Sequence, residues 1–379
     1  MKLIHLSDLH LGKRVNEYSM REDQEYIIYK ILNIIDDERP DGVMLAGDIY
    51  DKSVPSAEAV TLFDYFIYQL AKRKLQVFVI SGNHDSPERM AFGSRIMDAG
   101  GIHISPVYDG KIEPVTLQDQ YGEVNIYMIP FVKPLNVRRF FEDTEIVSYT
   151  DAMRCIIQRM GVDTSKRNVL ITHQFVTGAE RSESEDVSVG GTDNVDASVF
   201  GDFDYVALGH IHRPQNCGNG RIRYCGTPLK YSFSEAKDKK SVTIVELGSK
   251  GEVLYRTKEL VPLHDLVELR GKYDDLMLRS FYEDTTWQED YTHITLTDED
   301  DIPDAIGKLR TVYHGLMKLD YDNQRTRSNR IIEGDESVEN KSPYELITEF
   351  YELQNNQPVN ADQSKYIKDL IEKIWEDEG

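Results

Sequence analysis

The stretch YVALGHIH, residues 205–212, places two histidines directly after an apolar run and a glycine. An apolar run that ends at a glycine is typical of a buried strand leaving a sheet. His210 and His212 therefore follow the carboxyl end of a predicted strand. Whether the two imidazoles belong to one functional site depends on which side chains the other strands place near them.

The first half of the chain alternates short apolar runs with helical patterns. Strand–helix–strand units predict right-handed crossovers and a largely parallel sheet. Little helix separates the later runs, which predicts a second sheet packed on the first, an α/β sandwich flanked by helices. The runs are KLIHLS (2–7), DGVMLAGD (41–48), LQVFVISGN (75–83), EVNIYMIP (123–130), RNVLITHQF (167–175) and KKSVTIVEL (239–247), with helices predicted over 21–36 and 56–72.

Polar side chains follow five of the predicted strands. In open α/β sheets, sites form just outside the carboxyl ends of the strands, so these side chains are expected to meet. A lone D-x-H, H-x-H or GNH is common in satisfied turns, and the inference rests on the joint pattern in this order. The residues are Asp8, His10, Asp48, Asp51, Asn83, His84, Asp85, His173, His210 and His212.

This donor set has the chemistry of a metal site. Carboxylate, imidazole and amide oxygens suit divalent ions such as Mn²⁺ or Fe²⁺ and suit a thiolate zinc site poorly. One ion takes about six ligands, some of them water, so seven or eight candidate ligands indicate two ions. The two ions would lie roughly 3.5–4 Å apart and share a bridging carboxylate. The sequence therefore predicts a two-metal centre.

The motifs DLH, GDIYD, GNHD, H and GHIH together resemble the calcineurin-like metallophosphoesterase superfamily. Longer stretches resemble its double-strand-break repair branch, the SbcD-type nuclease subunits, and the similarity extends over nearly the whole chain. These stretches are LIHLSDLHLGK (3–13), LAGDIYDKSVPS (45–56), VISGNHDSPERM (79–90), GHIHRPQ (209–215) and YCGTPLKYSFSE (224–235).

The resemblance implies roles for the site residues. His84 protonates the leaving oxygen or stabilises transition-state charge. Asp51 orients His84, or is simply a helix N-cap or turn residue. Ser/Thr phosphatases carry Arg and Glu where this chain has Lys52 and Asp85, which disfavours a phosphoprotein substrate. The resemblance implies two ions, expected to be Mn²⁺. One is bound by Asp8, His10 and His212, the other by Asn83, His173 and His210, and Asp48 bridges the two.

The resemblance also implies an organisation and a partner. We expect a nuclease domain over 1–260, a small α+β cap domain over 261–325, a polar linker over 326–342 and two helices over 343–379. The helices dock on SbcC, a coiled-coil ATPase, or else pack back on their own chain. The implied complex holds two copies of each subunit. It cleaves DNA as a 3′–5′ double-strand exonuclease and as a single-strand and hairpin endonuclease.

Composition limits the alternatives. The net charge is −22, and residues 281–379 contribute −14 of it, so no broad basic face is expected. No apolar run approaches the roughly 18 residues of a membrane span, and no signal peptide is recognisable. We expect a cytoplasmic protein, nucleoid-associated when bound to DNA, with reduced thiols at Cys155, Cys217 and Cys225. Candidate phosphate contacts are Lys13, Arg14, Arg89, Arg138 and Arg139.

Two other functions use the same fold. A small-molecule or cyclic-nucleotide phosphodiesterase would share the metal site but would not need the C-terminal hundred residues. A scaffold that has lost activity would not need the site residues, and all of them are present.

Overall fold

The computed structural model describes residues 1–141, 143–185, 194–218, 220–324, 326, 343–355 and 358–376. Nearly all of the predicted linker, 326–342, lies outside these ranges. The chain divides into two compact units, Met1–Leu266 and Val267–Gly379. Within the described residues, no helix has the length and apolar character needed to cross a membrane.

Among the described residues the first unit contains 16 strands, seven of which fall where the apolar runs predict them. They are β1 (Lys2–Leu6), β2 (Arg14–Val15), β3 (Tyr18–Ser19), β4 (Gly42–Ala46), β5 (Gln76–Ile80), β6 (Ile102–Ile104), β7 (Val115–Asp119), β8 (Gly122–Ile129), β9 (Arg167–His173), β10 (Phe175–Val176), β11 (Asn194–Val195), β12 (Tyr205–Gly209), β13 (Gln215–Cys217), β14 (Ile222–Tyr224), β15 (Ser241–Leu247) and β16 (Val253–Glu259).

The helices of this unit include the two predicted from periodicity. The serine before the second helix caps it, because Ser56 accepts a hydrogen bond from the N–H of Ala59 at 3.3 Å. The helices are α1 (Arg21–Glu38), α2 (Ala57–Lys72), α3 (Pro87–Met90), α4 (Ser94–Asp98), α5 (Pro134–Arg138) and α6 (Tyr149–Met160), with 3₁₀ turns at Ala197–Phe200 and Phe233–Glu235.

Two mixed sheets form the sandwich. The first has the order β16-β15-β1-β4-β5-β6, with β1, β4, β5 and β6 parallel and β15 and β16 antiparallel at one edge. The second has the order β13-β14-β12-β9-β8-β7, and its inner strands β14, β12, β9 and β8 are parallel. The predicted α/β sandwich is confirmed.

Apolar side chains from both sheets fill the space between them. Leu3, Met44 and Phe78 of the first sheet pack with Ile171 and Tyr205 of the second, and all are fully buried. A second cluster covers the other face of the second sheet, with α6 contributing to it. Because the central strands are buried on both faces, their sequences are apolar throughout rather than alternating.

The second unit has its own sheet and core. Its strands are β17 (Leu266–Gly271), β18 (Tyr291–Leu296) and β19 (Gly315–Tyr321), and its first helices are α7 (Tyr273–Leu276), α8 (Arg279–Tyr282) and α9 (Ala305–Leu309). Leu276, Ile294, Leu309 and Tyr313 are buried in the core, and the hydroxyl of Tyr313 donates to the carbonyl of Leu276 at 2.6 Å. The sequence prediction began this unit at residue 261, and the contacts divide the chain after Leu266.

The tail consists of α10 (Pro343–Asn355) and α11 (Ala361–Glu376), close to the predicted helices. The two helices contact each other through polar side chains. The hydroxyls of Tyr344 and Ser364 are 2.6 Å apart, and Nε2 of Gln363 donates to the hydroxyl of Tyr351 at 2.7 Å. Large apolar side chains of both helices remain exposed, among them Phe350 and Tyr366.

Candidate metal centre

The ends of β1, β4, β5, β9 and β12 meet at one edge of the sandwich. Backbone hydrogen bonds join the loops after β1 and β4, where the N–H groups of Asp8 and His10 donate to the carbonyls of Gly47 and Asp48, both at 3.0 Å. The predicted ligand side chains converge there. Asn83 is half-buried, and the other six, Asp8, His10, Asp48, His173, His210 and His212, are buried.

Four of these residues have backbone angles in the left-handed region. Their φ values are 53° for Asp8, 43° for His10, 48° for Asp48 and 102° for His210. Such conformations cost about 1–3 kcal/mol per residue in non-glycine residues and cluster at functional sites. These sharp turns direct the side chains at the ends of the different strands toward one site.

Glycines lie directly beneath the converging side chains. A Cβ on Gly82 would stand 2.1 Å from Oδ1 of Asp48, and one on Gly209 would stand 1.9 Å from the carbonyl oxygen of Ala46. A Cβ on Gly47 would meet the ring of His173 at 2.4 Å. The glycines of the GD, GNH and GH motifs are therefore required by the close approach of the loops.

One group of possible ligands consists of Asp8, His10 and His212, whose donor atoms all lie within 4.8 Å of one another. Nε2 of His10 is 3.1 Å from Nε2 of His212. Two imidazoles whose Nε2 atoms face each other are an arrangement that a shared cation stabilises. These three donors fit a divalent metal ion.

The second group lies around Asp48. Its Oδ2 is 3.3 Å from Nε2 of His173 and 3.7 Å from Nε2 of His10, so this carboxylate faces both groups. Oδ1 of Asn83 is 2.9 Å from both His173 Nε2 and His210 Nδ1. Nδ1 of His173 donates to the carbonyl of Ala46 at 2.9 Å, which directs the Nε2 lone pair of the neutral ring toward the other donors.

Burial and the charge of Asp48 shift the pKa values of the site histidines in opposite directions. Burial lowers the pKa of His10 well below its ordinary value and that of His210 to about 3, so both imidazoles are neutral, the form that binds metal. Burial alone would also lower the pKa of His173, but the charge of Asp48 and a hydrogen bond to it raise that pKa to about 9. The negative charge of Asp48 thus stabilises positive charge beside it, here the proton on His173. A bound cation at this place would be stabilised in the same way.

His84 and Asp51 are in contact, but through the backbone of Asp51. Nδ1 of His84 donates to the Asp51 carbonyl at 3.0 Å. The Asp51 carboxylate instead pairs with Lys13 at 2.8 Å and lies 3.7 Å from Nδ1 of His10. The side chain of His84 is 18% exposed and its Nε2 is 4.0 Å from Oδ2 of Asp48. His84 is therefore beside the buried donors and open to solvent.

Sequence reasoning placed Asp85 at the site without a role and missed Ser184 and Glu235, and all three support the site. Asp85 is buried, and its carboxylate accepts from the N–H groups of Ile49, Tyr50 and Gly82 at 2.9–3.1 Å. It thereby ties the GDIYD loop to the GNHD loop. Ser184 and Glu235 contact the His212 side of the site. For Asp85 and Glu235 the only signal was their place at the end of a matched motif.

The candidate phosphate contacts all have partners within the chain. Lys13 pairs with Asp51 near the metal site. The others donate to backbone carbonyls: Arg14 to Glu17, Arg89 to Ser53, Arg138 to Ile146 and Arg139 to Tyr108. Lys13 is linked to the donors that would hold the ions, because its partner Asp51 lies 3.7 Å from His10.

Comparisons with known proteins identify the family of the chain. Residues 1–214 match the family model of the calcineurin-like phosphoesterases. The chain belongs to this family. Residues 262–355 match the model described as the type 5 capsule protein repressor C-terminal domain, SbcD_C.

Full-length relatives place the chain within the SbcD branch of the family. It is 31% identical over 388 residues to the SbcD subunit of nuclease SbcCD from Staphylococcus epidermidis, with all of both chains covered. It is 31% identical over 382 residues to the SbcD subunit from Staphylococcus saprophyticus, with 100% of this chain and 99% of the relative covered. The chain is accordingly a hydrolase of phosphodiester bonds.

Solved structures of lower similarity match part of the chain. A dimetal phosphatase from Danio rerio is 12% identical, with a TM-score of 0.43, and the match covers 69% of this chain and 96% of that one. Protein TT1561 of Thermus thermophilus is 11% identical, with a TM-score of 0.41 and coverage of 69% and 99%.

Proposed function

We propose that this SbcD-family chain is a two-metal DNA nuclease that works with an SbcC-type ATPase. The observation that carries the proposal is the position of Asp48, whose Oδ2 faces His173 at 3.3 Å on one side and His10 at 3.7 Å on the other. A carboxylate between two sets of donors is the arrangement needed to bridge two ions.

The two groups of donors support a ligand assignment. Bound ions would supply an activated water and charge that stabilises the phosphoryl oxygens. Mn²⁺ is the proposed metal, since oxygen and imidazole donors suit it. Asp8, His10 and His212 would hold one ion, Asn83, His173 and His210 would hold the other, and Asp48 would contact both.

His84 is the proposed general acid. The Asp51 carbonyl can only accept, so Nδ1 of His84 keeps its proton and the ring is oriented with Nε2 on the opposite edge. The protonated ring can then donate from Nε2 to the leaving oxygen. Asp51 orients the ring through its backbone, and its carboxylate holds Lys13 beside the site.

DNA is the proposed substrate, cleaved as a 3′–5′ double-strand exonuclease and as a single-strand and hairpin endonuclease in replication, recombination and repair. The full-length similarity to nuclease subunits supports DNA over a small cyclic nucleotide. This function places the protein in the cytoplasm, at the nucleoid when DNA is bound.

The proposed assembly contains two copies of this chain. Helices α2 and α4 and the turn before α4 expose large apolar side chains, among them Tyr68 at 60%, Phe92 at 85% and Ile96 at 84%. A cavity of 510 Å³ lined by Phe63 and Met90 opens on the same surface. Exposed apolar area of this kind marks protein interfaces, and a second copy is the occupant we propose.

The tail is the proposed SbcC-docking element. Ile347, Phe350, Tyr366 and Leu370 on the paired helices are 38–69% exposed. Amphipathic helices that keep apolar side chains exposed suit a helical partner. The proposed complex contains two copies of each subunit.

A nuclease assay on the purified chain tests the proposal. End-labelled linear duplex and hairpin DNA would be incubated with Mn²⁺, Mg²⁺ or EDTA, with and without SbcC and ATP. We expect Mn²⁺-dependent cleavage that SbcC enhances or redirects. Intact DNA combined with hydrolysis of bis(p-nitrophenyl) phosphate would instead support a small-molecule phosphodiesterase.

A further inference from the structure

Three polar groups of His212 are held by two parts of the chain, the loop with Ser184 and Glu185 and the segment with Lys240. Its Nδ1 lies 2.6 Å from the hydroxyl of Ser184. Its backbone N–H donates to Oε1 of Glu185 at 2.6 Å, and its carbonyl accepts from Nζ of Lys240 at 2.8 Å. These contacts fix both the ring and the backbone of a buried residue, which is 2% exposed.

The hydrogen-bond directions determine the tautomer of His212. The hydroxyl of Ser184 also lies 2.5 Å from Oε1 of Glu235, and because a carboxylate only accepts, Ser184 gives its single proton to Glu235. Ser184 must then accept from His212, which places the proton of the neutral ring on Nδ1. Nε2 keeps its lone pair and faces His10 Nε2 at 3.1 Å.

Glu235 is anchored in turn. Nζ of Lys240 donates to its Oε2 at 2.5 Å, and both side chains are at most 2% exposed. Removing two charges from water is costly, so a buried pair of this kind is weak evidence for stability. The pair lies next to His212, a proposed metal ligand. Lys240 holds the Glu235 carboxylate in one position, and this carboxylate accepts the Ser184 proton.

We propose that Ser184 and Glu235 are positioning residues that fix His212 in its Nδ1–H form and direct its Nε2 at one of the two metal ions. This inference rests on the metal site of the proposed function. Outer hydrogen-bond partners of metal-binding histidines orient the ring and raise its basicity, and their loss typically costs about 10- to 100-fold in metal affinity.

The variant Ser184→Ala tests the inference by removing only the hydroxyl. The metal-free full-length chain would be titrated with Mn²⁺, and the free ion would be measured by electron paramagnetic resonance. We expect two Mn²⁺ per wild-type chain and, in S184A, one of the two weakened about 10- to 100-fold. Ser184→Thr keeps a hydroxyl and should restore the wild-type affinity. Glu183→Ala, an exposed neighbour on the same loop, is the matched control.

Hydrolysis of bis(p-nitrophenyl) phosphate separates positioning from a general loss of structure. S184A should need proportionally more Mn²⁺ for half-maximal rate, while its KM for the phosphodiester at saturating Mn²⁺ stays at the wild-type value. Glu235→Gln provides a second variant, since it keeps the shape of the side chain but weakens its hold on the Ser184 proton. We expect its Mn²⁺ requirement to rise in the same way.

The outcomes are distinguishable. If wild type binds two Mn²⁺ and both S184A and E235Q bind them with unchanged affinity, the inference is overturned and the proposed function stands. If wild type binds no Mn²⁺, the proposed function is overturned and the inference with it.

Discussion

His84 and Asp48 are joined by a backbone hydrogen bond, in which the N–H of His84 donates to Oδ1 of Asp48 at 2.9 Å. The same carboxylate turns its Oδ2 toward His173 and His10. The residue that we propose as general acid is therefore held by its main chain to the carboxylate that we propose as the bridging ligand, and its ring is on the solvent side. In the proposed mechanism this arrangement would separate binding of the ions from proton transfer.

The first prediction concerns the ring of His84. His84→Ala keeps the backbone hydrogen bond to Asp48, so the metal content of the protein should not change. Turnover of a phosphodiester should fall by about 10²- to 10⁴-fold, the usual contribution of a general acid. Metal analysis and steady-state kinetics on one preparation check both parts, with His314→Ala, an exposed histidine of the second unit, as the control. Loss of an ion in H84A would make His84 a ligand instead.

The second prediction concerns the glycine of the GNH motif. Gly82→Ala would place a Cβ 2.1 Å from Oδ1 of Asp48, so the two loops must move apart. We expect loss of Mn²⁺ binding and a free energy of unfolding lower by about 2 kcal/mol. Gly201→Ala is the control, because its Cβ would meet only the Ser198 carbonyl oxygen at 3.6 Å. Equal Mn²⁺ affinity in both variants would contradict the tight packing around Asp48.

The third prediction is a pH dependence of stability far from the metal site. Hydrogen bonds from Arg167 and the terminal ammonium of Met1 hold the pKa of Asp119 well below its usual range. A carboxyl with a depressed folded pKa stabilises the protein above its unfolded pKa of about 3.9, and this stabilisation disappears as the pH falls toward the folded pKa.

Asp119→Asn should therefore lower the free energy of unfolding by about 3 kcal/mol at pH 7, since buried Arg167 loses its charged partner. The difference from wild type should shrink below about pH 4. Urea denaturation across this range measures it, and Asp202→Asn, at an exposed position, should show neither effect. A difference that stays constant with pH would contradict the ion pair.

The fourth prediction concerns the tail. Deletion of residues 341–379 should abolish binding to SbcC and leave hydrolysis of bis(p-nitrophenyl) phosphate intact. Phe350→Asp should weaken SbcC binding in the full-length chain, because this side chain is 64% exposed and the change places a charge in the proposed apolar contact. Lys365→Gln, also exposed, is the control. Capture of SbcC by the truncated chain at wild-type strength would exclude the tail as the docking element.

The sandwich was predictable because its signals are local. Central strands such as Gly42–Ala46 and Tyr205–Gly209 are apolar along their whole length and lead into Gly-Asp or Gly-His. Parallel strands place their carboxyl ends at one edge, so the convergence of the donors could be predicted from their positions directly after the strands.

The supports of the site were not predictable in the same way. Ser184 and Glu235 lie 51 residues apart and meet only through folding. The contact of His84 with Asp51 uses the backbone carbonyl of Asp51. Every residue has such a carbonyl, so the identity of residue 51 does not predict this contact. The contacts divide the chain after Leu266, and Leu260 and His264, which precede that division, bond to Lys240 and Asp23 of the first unit.

The bridging of two divalent ions by Asp48 is the central claim. Crystals of the full chain grown with Mn²⁺ would test it directly through anomalous diffraction at the manganese edge. We predict two peaks about 3.5–4 Å apart, with the Asp48 carboxylate between them, His212 on one peak and His173 on the other. A single peak, or two peaks of which neither contacts Asp48, would contradict it.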